Sequence, residues 1–176
     1  MSATKWVIDP THSEIGFKVK HMMFTNVSGK LQNFNALITT SVDVFENAKI
    51  EFDGDIDSIT TNNADRDSHL LSPDFFDAEQ FPKVTFEATS FDKIDEGNYK
   101  LTGNLTMHGV TKSVTLDTEF SGLMRDPWGV IKAGFIITGK ISRKDWNLHW
   151  NSTLEAGGVL VSDEVKLEID LQFIKQ

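Results

Sequence analysis

Along most of the chain apolar and polar residues alternate one by one. In Glu14–His21, Ile15, Phe17 and Val19 share one face with His21, opposite Glu14, Lys18 and Lys20. In residues 49–57, Ile50, Phe52, Gly54 and Ile56 alternate with Lys49, Glu51, Asp53, Asp55 and Asp57. The period recurs in Val84/Phe86/Ala88, Tyr99/Leu101/Gly103/Leu105 and Val114/Leu116/Thr118/Phe120. It returns in Ala133/Phe135/Ile137/Gly139/Ile141 and in Val165/Leu167/Ile169/Leu171/Phe173. Successive strand side chains point to opposite faces, so each segment predicts a strand with one buried face. Leu31–Thr40 predicts another, although Leu31 and Phe34 differ in parity and so point to a bulge. The pattern predicts eight strands, with a short additional one at Lys5–Ile8.

Turn-forming residues separate these segments: Asp95-Glu96-Gly97-Asn98, His108-Gly109, the run Arg125–Gly129, and Gly157-Gly158. Short links from Lys83 onward predict an antiparallel meander. No Pro/Ser linker, charge block or repeat interrupts residues 1–176, which read as one domain. Eight amphipathic antiparallel strands close into a barrel or split into a sandwich. An eight-stranded barrel is just wide enough to be filled by side chains or to hold one small ligand. Gly54, Ala88, Gly103, Ala133 and Gly139 sit on apolar faces and omit bulk there. A hollow barrel is the preferred reading; the alternative is that they accommodate bulky neighbours or relieve bending. The predicted fold class is all-β, an eight-stranded antiparallel barrel.

Residues 62–77 break the alternation. Asn62 or Asn63 can cap a helix over Ala64–Leu71, with Asp65 and Asp67 in its first turn. Ser72-Pro73-Asp74 predicts the start of a second helical turn, followed by Phe75, Phe76 and Phe81. The expectation is a helical lid with an aromatic rim across one barrel end. Arg66 and His69, spaced i, i+3, project to neighbouring positions. A competing reading has Arg66 and Asp67 binding loop backbone while the Phe residues close the core.

Composition narrows the chemistry. Of the 176 residues 13 are Phe and one is Tyr, rings that need an apolar interior. A net charge of -9 argues against a nucleic-acid partner and against broad binding to anionic membranes. The absence of cysteine excludes disulfides and thiol catalysis. No segment has the roughly 18 apolar residues of a membrane span. The N-terminus carries no signal-like apolar run, so the chain as written is expected to be cytoplasmic, or periplasmic or secreted if a leader has been removed. His12, His21, His69, His108 and His149 are scattered, without the converging ligands that zinc requires. Neither a metal nor a cofactor is expected. Ser13 and His12 are adjacent and point apart, so they make no nucleophile–base pair. Arg143 and Asp145 share the inward parity of Ile137 and Ile141, which suggests an ion pair at a barrel mouth.

Several motifs carry a family resemblance. WVIDPTHSEIGFKVKHM at Trp6–Met22, SITTNNADRDSHLLSPDFFDAEQFPKVTF at Ser58–Phe86, GNLTMHGVTKSV at Gly103–Val114 and ISRKDW at Ile141–Trp146 resemble the YceI-like family, bacterial polyisoprenoid-binding proteins. Asn147 stands where that family often has Gly. The resemblance implies a lipocalin-like barrel around a long apolar channel, with the 62–77 insertion lying against it. It also implies an isoprenoid, isoprenoid quinone or fatty-acid-like partner.

The leading expectation is a non-catalytic protein that carries or sequesters such a ligand. Phe17, Val19, Phe52, Ile56, Phe86, Leu101, Leu105, Phe135, Ile137 and Ile141 would form the wall by parity. Phe34, Phe75, Phe76 and Trp146 would add aromatic wall, and His21, Arg66, His69, Arg143 and Asp145 would meet polar atoms. One alternative is an enzyme acting on a bound hydrophobe through His21 or His69. Another is a filled barrel acting by protein contacts in a stress response. A homodimer is compatible with each.

Overall fold

A computed structural model describes residues 3–152 and 160–176; the Gly157-Gly158 turn lies outside the described residues. The strands are β1 (Ala3–Ile8), β2 (Glu14–His21), β3 (Thr25–Leu31), β4 (Phe34–Ser41), β5 (Val44–Asp55) and β6 (Ile59–Thr60). They continue as β7 (Lys83–Asp95), β8 (Asn98–Met107), β9 (Val110–Arg125), β10 (Ile131–Ser142) and β11 (Val161–Lys175). The helix α1 covers Ala64–Leu71.

The strands β1-β4-β5-β7-β8-β9-β10-β11 follow one another around a ring. Antiparallel pairing of β11 with β1, from Trp6↔Lys175 to Ile8↔Phe173, closes it. This is the expected eight-stranded antiparallel barrel, with a different eighth member. The short N-terminal segment supplies β1 to the ring, whereas β2 lies outside it. Only the end of β11 faces β1; Val161–Asp170 of the same strand pair with β2. The sheet forks there and continues as a side leaf, β11-β2-β3-β6.

The closed ring is packed solid. Trp6, Phe91, Phe135 and Phe173 are buried inside it. The Phe45 ring lies 5.1 Å from both Trp6 and Phe120, and Phe91 stacks on Tyr99 at 4.6 Å. Each such side chain contributes about 1.5–3 kcal/mol of burial. The inward glycines serve this packing. A Cβ on Gly103 would overlap the Phe86 ring and stand 2.5 Å from the Glu87 carbonyl oxygen. One on Gly139 would overlap Leu116, and one on Gly54 would overlap Leu31. The expectation that these residues hollow the interior is therefore corrected: they admit bulky neighbours.

The parity conflict between Leu31 and Phe34 has a different cause from the bulge expected. The two residues belong to separate strands, and the Gln32 and Asn33 amides both donate to Ser58 Oγ, at 3.2 and 2.9 Å. Helix α1 matches its predicted bounds, with Asn63 accepting from the Arg66 amide at 3.0 Å. The expected second helical turn is reduced to one hydrogen-bonded turn. The Ser72 hydroxyl donates to the His69 carbonyl at 2.6 Å and accepts from the Asp74 amide at 3.3 Å. The Phe75 amide closes a single turn on the Ser72 carbonyl at 3.0 Å, and no helix propagates beyond these turns.

Candidate ligand-binding site

The space lies between the side leaf and the ring, whose strands β7, β8 and β10 contribute Val84, Met107 and Ile141 to its wall. A cavity of about 480 Å³ lies between β2, β3, the first half of β11, α1 and the turns that follow it. The alternation in β2 that predicts a buried face directs Ile15, Phe17 and Val19 into this space. Their registered partners Leu167 and Val165 on β11, and Val27 on β3, extend the same wall. Gly29, opposite Phe17, carries no Cβ, and the Phe17 ring occupies that place. Ile56, Ile59, Leu70, Phe75 and Phe76 complete the far side.

Polar groups stand at the margins, and most are already engaged. Arg66 donates from Nε to Thr61 Oγ1 at 2.7 Å and from Nη2 to the Thr61 carbonyl at 2.9 Å. The Thr61 amide and hydroxyl donate to Asp67 Oδ1 at 2.8 and 2.5 Å. Arg66 and Asp67 thus tie α1 to the end of β6, as the competing reading of these residues held. His69 Nε2 lies 2.9 Å from Asp74 Oδ2, and its ring meets Phe75 and Trp150 edge-on at 5.2 and 4.7 Å.

Arg143 is the most committed of these groups. It is 4% exposed, and its Nε donates to the Ser162 carbonyl at 2.9 Å. Nη1 donates to the carbonyls of Leu148 at 2.6 Å and Trp150 at 2.9 Å, and Nη2 to that of Val161 at 3.2 Å. Burial lowers the pKa of its guanidinium, while Asp163, 3.9 Å away, acts to raise it. The fork clamps the irregular segment bearing Leu148 and Trp150 to the start of β11. The expected pair with Asp145 does not form, and Asp145 is exposed. Parity fails at this point because Arg143–Trp146 forms a 3-10 turn, where side chains do not alternate. The Asn147 that follows is left-handed, with φ 60°. Asn tolerates that conformation better than most residues, so it suits a position where Gly is also at ease.

Of the residues expected in the site, Phe17, Val19, His21, Ile56, Arg66, His69, Phe75, Phe76, Ile141 and Arg143 line the cavity. Phe86, Leu101, Phe135 and Ile137 are instead buried in the filled ring, because the parity that marks an inward face is the same in both places. Phe34 and Phe52 pack between the ring core and the cavity cluster. Leu105 packs between that core and Trp146, whose Nε1 donates to the Leu105 carbonyl at 3.0 Å. Sequence reasoning missed Val27, Leu31, Trp150, Leu160 and Val161. Val27, Gly29 and Leu31 do alternate with Asn26, Ser28 and Lys30, a signal weak enough to be read as loop. Trp150 and Leu160 lie outside regular strands and leave no periodic trace. Among the described residues no three His, Asp or Glu side chains converge as a metal site.

The model of the YceI-like domain matches residues 6–173. The chain belongs to the YceI-like family. A UPF0312 protein of Staphylococcus aureus is 36% identical over 171 residues, covering 97% of each chain. A Campylobacter jejuni YCEI protein of known structure is 34% identical, with TM-score 0.76 over 89% of this chain and 90% of that one. Two more distant structures share the fold. BcnA of Burkholderia cenocepacia has TM-score 0.81 at 20% identity, over 94% of this chain and 98% of that one. A polyisoprenoid-binding domain from Saccharophagus degradans has TM-score 0.70 at 12% identity, over 97% and 98%. This YceI-like chain contains, among its described residues, no helix long and apolar enough to cross a membrane.

Proposed function

We propose that the protein is a non-catalytic binding protein that holds one chain-like apolar ligand in the side cavity. The observation that carries this reading is the mismatch between the two compartments. The ring is filled to contact, whereas about 480 Å³ beside it is walled by aliphatic and aromatic side chains whose neighbouring arginines are spent on backbone. That volume falls within the range of roughly 300–1,000 Å³ typical of small-molecule sites. Each methylene buried there is worth about 0.8 kcal/mol, so a long chain binds well without many polar contacts. The same arithmetic makes discrimination by chain length weak. An isoprenoid, isoprenoid quinone or fatty-acid-like ligand suits such a wall, and the polyisoprenoid-binding neighbour agrees with it.

Organic extraction of the purified protein followed by mass spectrometry is expected to release a lipid in stoichiometric amount. Phe17→Ala is expected to weaken binding of a fatty acid and of its matching alcohol alike, by about tenfold or more, since the ring offers only apolar area. Clean extracts together with unchanged affinity in Phe17→Ala would sink the cavity reading.

A further inference from the structure

The tip joining β2 to β3 is hard to explain by folding alone. Its turn is closed by the Phe24 amide donating to the His21 carbonyl at 3.2 Å. Both central residues are left-handed, Met22 at φ 51° and Met23 at φ 63°. Hairpin turns of that shape favour Asn-Gly, because a Cβ crowds the following carbonyl oxygen there. Here two methionines occupy the positions and a phenylalanine follows. None is folded back onto the protein: Met22 is 42% exposed, Met23 60% and Phe24 85%. Three adjacent exposed apolar side chains on a strained turn are a cost to the free protein, which points to an apolar environment outside it.

The position of the tip says which environment. The Met22 amide donates to the carbonyl of Leu160, a cavity-lining residue, at 2.8 Å, and His21 and Lys20 also line the cavity. The tip therefore stands at the rim of the cavity. Its charge is also unlike that of the whole chain. From Ile15 to Val42 there is no Asp or Glu, while Lys18, Lys20 and Lys30 lie in that stretch of a protein with net charge -9. Lys18 is paired with Glu168 across the strand; Lys20, nearer the tip, is exposed. An apolar wedge backed by cationic strand is the pattern of a segment that enters the headgroup region of a bilayer.

We propose that Met22, Met23 and Phe24 dock the protein on a lipid bilayer surface and set the cavity rim against the membrane. Docking itself needs no particular cavity ligand; its use in lipid transfer rests on the binding reading above. A second exposed apolar tip, with Met124 and Trp128, lies at the far end of β10 from Ile141, and neither residue lines the cavity.

Co-sedimentation with vesicles of equal parts phosphatidylcholine and phosphatidylglycerol tests the proposal. Met23→Ser/Phe24→Ser is expected to reduce the partition coefficient about tenfold or more, and Trp128→Ser to leave it unchanged. Met22→Asn/Met23→Gly supplies the residues the turn favours. It is expected to raise Tm while weakening vesicle binding, an opposition that a purely structural role for the methionines does not produce. Wild-type protein that stays in the supernatant overturns the proposal, as does a Met22→Asn/Met23→Gly variant that sediments like wild type. Uptake of a fluorescent fatty acid from vesicle-free solution separates the two readings. Vesicle binding without uptake sustains docking and removes the cavity assignment; uptake without vesicle binding does the reverse.

Discussion

Replacing Arg143 with methionine keeps the length and much of the apolar stem but deletes every N–H donor. Four backbone carbonyls lose this donor: Leu148, Trp150, Ser162 and Val161, of which Val161 keeps another, the Asn151 side-chain amide at 2.7 Å. The Leu148 bond is fully buried, and its loss carries the cost of a charge-assisted hydrogen bond, about 1.5–3 kcal/mol. The other three carbonyls are partly buried and regain water, at roughly 0.5 kcal/mol each. Removing the desolvation penalty of the guanidinium returns part of this. The net expectation is a destabilisation of about 3 kcal/mol, or a fall of roughly 1.5 M in the urea midpoint for a slope near 2 kcal/mol/M. Because the clamp holds the segments bearing Trp150 and Val161 on the cavity wall, affinity for a fatty acid and its matching alcohol should fall together. Equilibrium urea unfolding and paired titrations read both quantities. An unchanged midpoint with affinity lost only for the acid would refute this reasoning and restore Arg143 as a head-group residue.

Two further predictions address the ring. Gly103→Ala places a methyl against the Glu87 carbonyl oxygen, which cannot yield as a side chain can, and should lower stability by about 1–3 kcal/mol in thermal melts; unaltered stability would reopen the hollow reading. Asp9, buried at the end of β1, would have its pKa raised by burial, but hydrogen bonds from Thr11, His12 and Lys132 outweigh this and lower it to about 2. Since the folded pKa lies below the unfolded one, its contribution, at most about 2 kcal/mol, is full above pH 4 and is lost as pH falls towards 2. Asp9→Asn should therefore reduce the urea midpoint at pH 6 and narrow its gap from wild type as the buffer is acidified.

The barrel was legible because strands with one packed face must alternate. Leu101, Phe135 and Phe173 advertise the ring core directly. So was α1, where the Asn63 cap is a local matter settled within three residues. The division between filled and empty space was not. Phe17 and Phe135 occupy identical places in identical patterns, yet one borders a cavity and the other touches Phe45 and Phe173. A cavity is a missing partner from a distant strand, and a period of two carries no information about that. Strand β3 escaped notice because Val27 and Leu31 are its only large apolar residues. The role of Arg143 was hidden because its acceptors are backbone carbonyls, which every residue has.

The fork along β11 separates two kinds of selection. Substitutions among Trp6, Phe91 and Phe135 are judged by whether the molecule folds, since those side chains hold the ring closed. Substitutions at Val19, Val27 or Val165 are judged by what the cavity will admit. Mutations at sites more than about 7–10 Å apart with no shared partner contribute nearly independently. On the proposed binding function, descendants of such a chain exchange one ligand for another by drifting along β2 and β3, while the scaffold they inherit stays the same.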